Sequence, residues 1–327
     1  MTKTCLWILL AVAFLLNGCE VNQAAAPAST ETTTHLQTLK PRAVEILKTS
    51  LKHDNPHIRS NAIEVTVETG QKDLMADIVQ LMGDPTVAVR FTATMAAGDM
   101  LCYGCEQEVR KHLTDEDENV RLAAAYSLLK LNYPEFHSQL CQGVTSSDQT
   151  VRANATLLIG KAGNSDDIAL LYKVMRDESA NDMVKLQAVE SLARLKDQRL
   201  YRSKLWALLI SKYADDRMVG IRGMGALGTA DAKNAIVTML GDDVEEVRLG
   251  AAEQLGRLGD QTGKDEVAAF LAKSSNLDEM NVGNQLAIMA IGRIGSSQLT
   301  AYLPKALNSR SEVNRLAAAQ SVLLLTK

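Results

Sequence analysis

Small and apolar residues recur along the chain with the spacing of an amphipathic helix. The segment 118–131, ENVRLAAAYSLLKL, contains a valine, a basic residue, small residues three and four places later, and leucines seven and ten places later. Counted from the valine, offsets of 0, 4, 8 and 11 fall on one face of a helix. The pattern predicts a helix with a buried apolar face, on which small residues let a neighbouring helix approach closely.

The same pattern returns along most of the chain. Val89, Val120 and Val151 each precede an arginine and are 31 residues apart. Turn-forming residues stand before each step, as in GDPT at 83–86, and a shorter amphipathic run precedes each turn. The unit is therefore helix, tight turn, helix. Nine such units are predicted between residues 39 and 325, of which the sixth and eighth are degenerate.

A single unit of this kind cannot bury its apolar face, so stacked units share one continuous core. The chain is predicted to be all-α, a right-handed α-solenoid of about nine two-helix repeats over residues 36–327. The helix ends QLGRLG at 254–259 and AIGRIG at 290–295 resemble those of the HEAT-like repeat family, in its short PBS-lyase-type variety. The resemblance covers nearly all of residues 39–325, and it implies that the second helices line a concave face.

The resemblance also implies a structural role for the repeated arginines. In the family, aspartates in the turns and arginines in the following helices form a ladder along the solenoid. Here the ladder would consist of Asp84, Asp115, Asp148 and Asp242 with Arg90, Arg121, Arg152 and Arg248. A partly buried guanidinium needs a paired acceptor, so these side chains are interpreted as structural rather than ligand-binding. The full set of structural arginines is Arg59, Arg90, Arg121, Arg152, Arg248 and Arg315.

The first 35 residues depart from the repeat pattern. The apolar run 6–16 has eleven residues, whereas a membrane-spanning helix needs ~20. The run ends in Leu16-Asn17-Gly18-Cys19, which resembles the lipobox of bacterial lipoproteins. The resemblance implies that residues 1–18 are a signal peptide and that Cys19 is lipidated; an ordinary secretory signal with a chance cysteine is the alternative. Residues 19–35 are predicted to be a flexible tether, because they carry almost no large apolar side chains.

This lipoprotein-like signal implies a protein of the bacterial cell envelope that is lipid-anchored to a membrane. Glu20 follows the cysteine, where an aspartate would resemble an inner-membrane retention signal. In a Gram-negative cell the expected location is therefore the outer membrane, facing the periplasm.

Composition and motifs argue against several classes of function. The net charge is −4 and aromatic residues make up 4% of the chain. The sequence therefore has neither the positive charge nor the aromatic side chains that nucleic-acid binding requires. The His-Glu dipeptides of deoxyhypusine hydroxylases are missing, because none of the five histidines precedes a glutamate. No phosphate-binding loop, nucleophile elbow or paired metal-ligand spacing occurs. The sequence therefore predicts a protein that is not an enzyme, with no catalytic residue, cofactor or metal site.

The sharpest local motif is Cys102-Tyr103-Gly104-Cys105, between the second and third repeats. In an oxidising compartment the two thiols are predicted to form a local disulfide. Metal and redox roles are the alternatives. A zinc site would need two more ligands, for which Cys141 and His112 are of the right type, and Cys141 otherwise is interpreted as a buried free thiol.

A second pattern lies nine places after the basic residue of each unit. From the third to the eighth repeat this position is mostly basic, but in the first two repeats it holds Glu68 and Asp99. With apolar residues one turn away, it predicts a partner-binding groove on the concave face. Capping of helix ends by last-turn cations is the alternative, but capping does not explain the two acids. The groove is predicted to contain Lys130, Lys161, Arg194, Arg257 and Arg293, with Met95, Tyr126 and Met289.

The sequence thus favours a membrane-tethered, non-enzymatic scaffold or adaptor that binds a protein or peptide through the concave face of a HEAT-repeat solenoid. Two alternatives stay open. One is an enzyme or accessory subunit of the lyase-like kind. The other is an envelope protein that binds a polyanionic polymer through the basic residues.

Overall fold

The computed structural model describes residues 30–274 and 276–327, which are mostly helical. A π-helical segment, Tyr201–Leu205, leads into the eleventh helix. No helix among these residues is both long and apolar enough to cross a membrane. The predicted signal peptide and Cys19 lie outside the described residues. In chain order the helices are α1 (Thr30–Leu51), α2 (Pro56–Thr69), α3 (Met75–Leu81), α4 (Val87–Asp99), α5 (Glu106–Lys111), α6 (Glu118–Lys130), α7 (His137–Gly143), α8 (Gln149–Ala162), α9 (Ile168–Arg176), α10 (Asp182–Arg194), α11 (Trp206–Leu209), α12 (Ala214–Leu227), α13 (Ala230–Thr238), α14 (Glu245–Arg257), α15 (Lys264–Lys273), α16 (Val282–Ile294), α17 (Ser297–Thr300), α18 (Leu303–Ala306) and α19 (Glu312–Leu325).

The helices alternate between an outer row and an inner row. Each unit has an outer helix, a tight turn and an inner helix, and in the last unit α17 and α18 share the outer position. Polar side chains cap the inner helices: Asp117 accepts from the Asn119 amide before α6, and Asp148 accepts from the Thr150 amide before α8. Residues 30–274 and 276–327 thus contain nine two-helix units, which confirms the predicted all-helical repeat fold. The inner row is α2, α4, α6, α8, α10, α12, α14, α16 and α19.

Helix α1 begins at Thr30, inside the segment 19–35 that was predicted to be a tether. Apolar periodicity starts only at Leu36, which is buried, so the sequence pattern placed the boundary there. A helix extends into adjacent polar residues because each added residue gains one backbone hydrogen bond. Helix α1 therefore begins before the predicted start of the repeats at residue 36, and residues 19–29 lie outside the described part of the chain.

Neighbouring inner helices approach closely where a glycine of one meets a serine of the next. A Cβ on Gly98 would lie 2.6 Å from the Cα of Ser127, and a Cβ on Gly292 would lie 2.5 Å from the Cα of Ser321. The Ser127 hydroxyl also donates to the Thr94 carbonyl at 2.6 Å. These positions leave no room for a larger side chain, so they set the spacing of the inner row.

The inner row closes on itself. Each inner helix packs against the next from α2 to α19, and α19 packs against both α1 and α2. We call this last contact the seam. Across it, the Lys40 ammonium donates to the Thr326 carbonyl at 2.9 Å, and the His53 and Glu312 side chains meet at 3.0 Å. The repeats therefore form a closed ring, whereas the sequence suggested an open concave groove.

Candidate functional site

The middle of the ring holds charged side chains from the inner helices. They occupy positions five and nine after the basic step of each unit, which are one turn apart on the same side of the helix. Five are acidic and five are basic, so their formal charges cancel. We call them the central cluster, which consists of Glu64, Glu68, Asp99, Lys161, Glu190, Arg194, Arg222, Glu253, Arg257 and Arg293.

Glu68 joins helices that lie far apart along the chain. Its carboxylate lies 2.8 Å from Nη1 of Arg257, and it also accepts from Arg293 and from the Gln320 amide. Arg257 in turn lies 2.5 Å from Glu253 on its own helix. The side chains of Glu68 and Arg257 are 8% and 9% exposed, so the pair is largely withdrawn from water. Glu68 on α2 thus meets α14, α16 and α19, a set of contacts that depends on closure of the ring.

A second group of contacts fills the other half of the central cluster. Lys161 Nζ lies 2.9 Å from Asp99, with both side chains at most 5% exposed, and the Tyr126 hydroxyl donates to Asp99 at 2.6 Å. Burial lowers the pKa of Lys161, and the negative charge of Asp99 acts to raise it. Arg222 reaches Glu190 at 2.8 Å. These bases are therefore held by acids of neighbouring and more distant repeats.

The predicted partner groove is not an open surface in the closed ring, which corrects the assignment of its residues. Met95, Tyr126 and Met289 are buried, at 4% exposure or less. Of the five basic residues predicted there, four belong to the central cluster: Lys161, Arg194, Arg257 and Arg293. Lys130 lies apart, half-buried beside a cavity at α7.

The acidic residues in the first two repeats have basic partners inside the ring. Glu68 and Asp99 occupy the position that holds a base in most later repeats. Ring closure brings Glu68 against Arg257 and Arg293, while Asp99 takes Lys161. The alternation of charge along the chain is therefore complementary packing across the ring, rather than a basic ridge offered to a partner.

The arginine ladder runs along the turns with a register different from the expected one. Arg90 bonds Asp115 of the following turn at 3.0 Å, and its Nη1 donates to the Asp84 carbonyl of its own turn at 3.1 Å. Asp148 is a helix cap, and Arg152 instead bonds Asp177 at 2.6 Å. Each carboxylate pair therefore links one unit to the next. The four pairs of this kind are Arg59–Asp84, Arg90–Asp115, Arg152–Asp177 and Arg217–Asp242.

The remaining predicted ladder arginines bond mainly to their own turns. Arg121, Arg248 and Arg315 each donate from Nη1 to the carbonyl six residues earlier, at 2.8, 2.9 and 2.7 Å. Arg248 also bonds Glu266 at 2.5 Å. The interpretation of these side chains as structural thus agrees with their contacts, while the pairing within each unit was wrong.

Sequence reasoning missed Arg217 and misplaced the sixth unit by three residues. Arg217 takes the ladder position, and Arg222 faces the central cluster five places later. The apparent Val219-Gly220 step lies within α12 and is not the repeat signal. One sequence signal could have located Arg217, because Asp242 follows it by 25 residues, as Asp84 follows Arg59.

The cysteine motif forms a small closed loop. Cys102 and Cys105 are joined by a disulfide, with their Cα atoms 5.3 Å apart. Cys141 is a free thiol and is half-buried on α7 rather than fully buried. His112 lies beside Asp115 in the ladder, so it does not join Cys141 and the disulfide pair in a metal site.

The segment 206–213 exposes large apolar side chains that the sequence pattern did not reveal. Trp206, Ile210 and Tyr213 are 42%, 71% and 60% exposed, although they lie within eight residues of one another. We call these three side chains the outer patch. Because aromatics are 4% of the chain, two exposed aromatic rings in one short segment depart from the general composition.

The local backbone explains why the outer patch faces solvent. Leu205 and Leu209 point inward and are buried, so Trp206 and Ile210, which follow each of them, face outward. The Tyr201 ring packs against Trp206 at 6.2 Å between centroids. The Lys212 ammonium lies 4.9 Å from the centre of the Tyr213 ring. Each aromatic ring of the patch thus has one neighbour of its own, a second ring beside Trp206 and a cation beside Tyr213.

Comparison with known proteins identifies the repeat type. Residues 137–218 match the family of HEAT repeats. No curated protein matches the chain. Among solved structures, human deoxyhypusine hydroxylase in complex with glycerol aligns at 17% identity, over 79% of this chain and 96% of the other, with a TM-score of 0.38.

Two further structures align over most of this chain. The CpcE–CpcF complex of phycocyanin lyase from Nostoc sp. PCC7120 aligns at 18% identity, over 86% of this chain and 100% of the other, with a TM-score of 0.45. Importin beta aligns at 15% identity, over 90% of this chain and 49% of the other, with a TM-score of 0.34. Residues 137–218 thus carry HEAT repeats, and the described residues as a whole form a helical solenoid of two-helix units.

Proposed function

We propose that the protein is a non-enzymatic scaffold, lipid-anchored through Cys19 at the bacterial cell envelope, which binds a protein partner through the outer patch. The fold supports the general role, because a repeat solenoid offers a large rigid surface built from nearly identical units. The closed ring changes where that surface lies. Most of the charges on its inner side are buried and paired with one another, which favours a partner surface elsewhere.

The observation that carries the proposal is the exposure of Trp206, Ile210 and Tyr213 together. Tryptophan and tyrosine supply much of the binding energy at protein interfaces, because they bury large areas and lose little conformational freedom. Leaving these side chains in water is unfavourable for an isolated protein, and a partner that covered them would remove that cost.

The edge of the patch indicates the chemistry of the partner. The same short segment exposes three basic side chains, Arg202, Lys204 and Lys212, against one exposed acid, Asp215. A complementary surface would be apolar in the middle and acidic at its rim, since charges at the rim of an interface guide association and exclude wrong partners. The polyanion alternative loses most of its support, because most of the bases it relied on belong to the central cluster.

The anchor rests on the sequence of residues 1–19. A diacylglycerol on Cys19 would hold the ring near a membrane surface, joined by the short segment before α1. The scaffold would then concentrate its partner at the envelope. Cys19→Ser is expected to release the protein from the membrane fraction without changing the fold.

Photo-crosslinking at single sites tests the interface. A photoreactive residue at position 210 in the membrane-bound protein should give one defined protein adduct. Trp206→Ser with Tyr213→Ser should abolish that adduct while the melting temperature stays nearly constant, because exposed side chains contribute little to stability. Met280 is 77% exposed and provides the matched control site elsewhere on the ring. Equal adducts from positions 210 and 280, or no adduct from 210, would overturn the proposal.

A further inference from the structure

Three side chains able to bind a metal meet on the outer side of the fourth and fifth units. His137 begins α7, and Cys141 follows it by four residues, so both lie on one face of that helix. Asp167 comes from the turn that leads into α9 of the next unit. Within residues 30–274 and 276–327, this is the one trio of histidine, cysteine or acidic side chains whose ligand atoms all lie within 4.8 Å of one another.

The distances between the three side chains suit a small tetrahedral ion. His137 Nε2 lies 3.8 Å from Cys141 Sγ and 2.9 Å from the nearer Asp167 oxygen. Around zinc, bond lengths of about 2.3 Å to sulfur and about 2.0 Å to nitrogen and oxygen place neighbouring ligand atoms roughly 3.3–3.6 Å apart. Small side-chain rotations would therefore bring the three ligand atoms to coordinating positions.

The surroundings leave one coordination position open. Asp167 is 5% exposed, while His137 and Cys141 are half-buried. A cavity of about 490 Å³ adjoins His137, and Lys130 and Asn164 also line it. A metal held by the trio would thus have a fourth ligand, either water or a group bound in the cavity.

We propose that His137, Cys141 and Asp167 bind Zn²⁺, with the fourth position facing this cavity. Imidazole, thiolate and carboxylate are the ligand types that zinc takes in proteins. On binding, the Cys141 thiol releases its proton to solvent, and the proton on His137 Nε2 moves to Nδ1 through solvent. The His137–Asp167 hydrogen bond then gives way to two metal bonds. The ion would join α7 to the turn before α9 and so lock two adjacent units. The sequence suggested no metal site, because the third ligand, Asp167, comes from another unit.

Cobalt provides a direct optical test, since Co²⁺ substitutes for zinc and reports thiolate coordination through a charge-transfer band. The full chain with Cys5→Ser and Cys19→Ser leaves Cys141 as the free thiol beside the Cys102–Cys105 disulfide. Titration with Co²⁺ should produce the charge-transfer band and the visible bands of a four-coordinate ion, and Zn²⁺ should displace both. Zn²⁺ should also raise the melting temperature.

Single variants assign the ligands. Cys141→Ser should remove the charge-transfer band. His137→Gln and Asp167→Asn should weaken Zn²⁺ binding by more than about 100-fold, because loss of a supporting residue alone costs about 10–100-fold. His57→Gln changes an exposed histidine and is the matched control, which should bind like the parent.

Two results would overturn the proposal. One is an unchanged charge-transfer band in Cys141→Ser. The other is the absence of Co²⁺ and Zn²⁺ binding to the folded parent, which would make the trio a hydrogen-bonded contact only. If a variant does not fold, X-ray absorption of the zinc-loaded parent decides the matter. One sulfur neighbour at about 2.3 Å supports the site, and a shell of oxygen and nitrogen alone contradicts it.

Discussion

The arginine ladder and the central cluster are both built from paired charges, but they differ in the distance along the chain that each pair spans. Ladder pairs join residues 25 apart in adjacent units, such as Arg90 and Asp115. In the central cluster, Arg293 meets Glu68 across 225 residues. The ladder pairs hold each unit to the next whether or not the last unit meets the first. The contacts of Glu68 with Arg257 and Arg293, unlike the other pairs of the central cluster, exist only when the last unit returns to the first.

This difference indicates which contacts set the shape of the molecule. Local pairs stabilise any solenoid, open or closed, because each depends on its nearest neighbour alone. Long-range pairs stabilise only the curvature of the repeat array at which Glu68 meets Arg257 and Arg293. We therefore attribute the closed ring mainly to the central cluster together with the apolar packing of α19 on α1 and α2.

The largest effect is expected from Glu68→Gln. The substitution keeps the size of the side chain but leaves Arg257 and Arg293 with Glu253 as the remaining carboxylate. Loss of one partner from a buried ion pair costs about 3–5 kcal/mol, because the other charge stays buried. Urea unfolding should show this loss, together with faster hydrogen exchange in α1 and α19. A loss below about 1 kcal/mol would contradict a closure role for Glu68.

The next effect is a dependence of stability on pH that comes from Glu64. Burial raises the pKa of its carboxyl from 4.5 to about 8, with Lys161 acting to lower it and Asp99 to raise it. Between these values the unfolded chain gives up a proton that the folded ring keeps, so stability falls as pH rises. The slope is up to about 1.4 kcal/mol per pH unit, or about 3 kcal/mol over two units.

Glu64→Gln removes this titrating group, so the free energy of unfolding should depend less on pH in the variant. Unfolding by urea at pH 5.5 and 7.5 measures it, and the difference between the two pH values should be larger in the parent than in the variant. Equal differences in both proteins would mean that Glu64 titrates alike in the folded and unfolded chains.

A smaller effect is expected from Asp115→Asn, the matched amide substitution in the ladder. Asp115 accepts from Arg90 in a pair about nine-tenths buried, and Arg90 keeps its bond to the Asp84 carbonyl. Hydrogen bonds to charged groups contribute about 2 kcal/mol. The ring should stay closed, because the substitution touches neighbouring units only. Faster hydrogen exchange in α19 of the Asp115→Asn variant would mean that the seam has opened. It would contradict the claim that ladder pairs do not control ring closure.

The smallest effect is expected from Lys52→Gln. Lys52 pairs with Asp77 at 3.1 Å, but its side chain is 67% exposed. Such pairs contribute less than about 1 kcal/mol and weaken with salt. Thermal unfolding at low and high ionic strength should hardly distinguish the variant from the parent. A large loss here would show that exposure does not separate strong pairs from weak ones in this protein.

The repeat fold could be predicted from sequence because its causes are local. The spacing of small and apolar residues fixes each helix and its buried face, so nine units were found. The ladder arginines were recognised as structural for the same reason. The register of the sixth unit was wrong because Val219-Gly220 imitates the repeat step, whereas Arg217 holds the ladder position.

Closure could not be predicted in the same way. It depends on the summed rotation of nine units, and a small error in each accumulates around the ring. The one available signal was the pair of acids, Glu68 and Asp99, at a position that is mostly basic elsewhere. For Glu68, charge complementarity with the bases of the later repeats points to contacts between the ends of the chain. The trio at His137 was missed because Asp167 belongs to another unit.

The central claim, that the array is a closed ring, is tested most directly by the distance across the seam. Spin labels at positions 52 and 310 replace exposed side chains that flank the His53–Glu312 contact. Cys5, Cys19 and Cys141 are replaced by serine, and the Cys102–Cys105 disulfide is kept. Double electron–electron resonance should give one narrow distribution at short distance, which Glu68→Gln broadens. A long or broad distribution in the parent would mean an open arc, and would contradict the account.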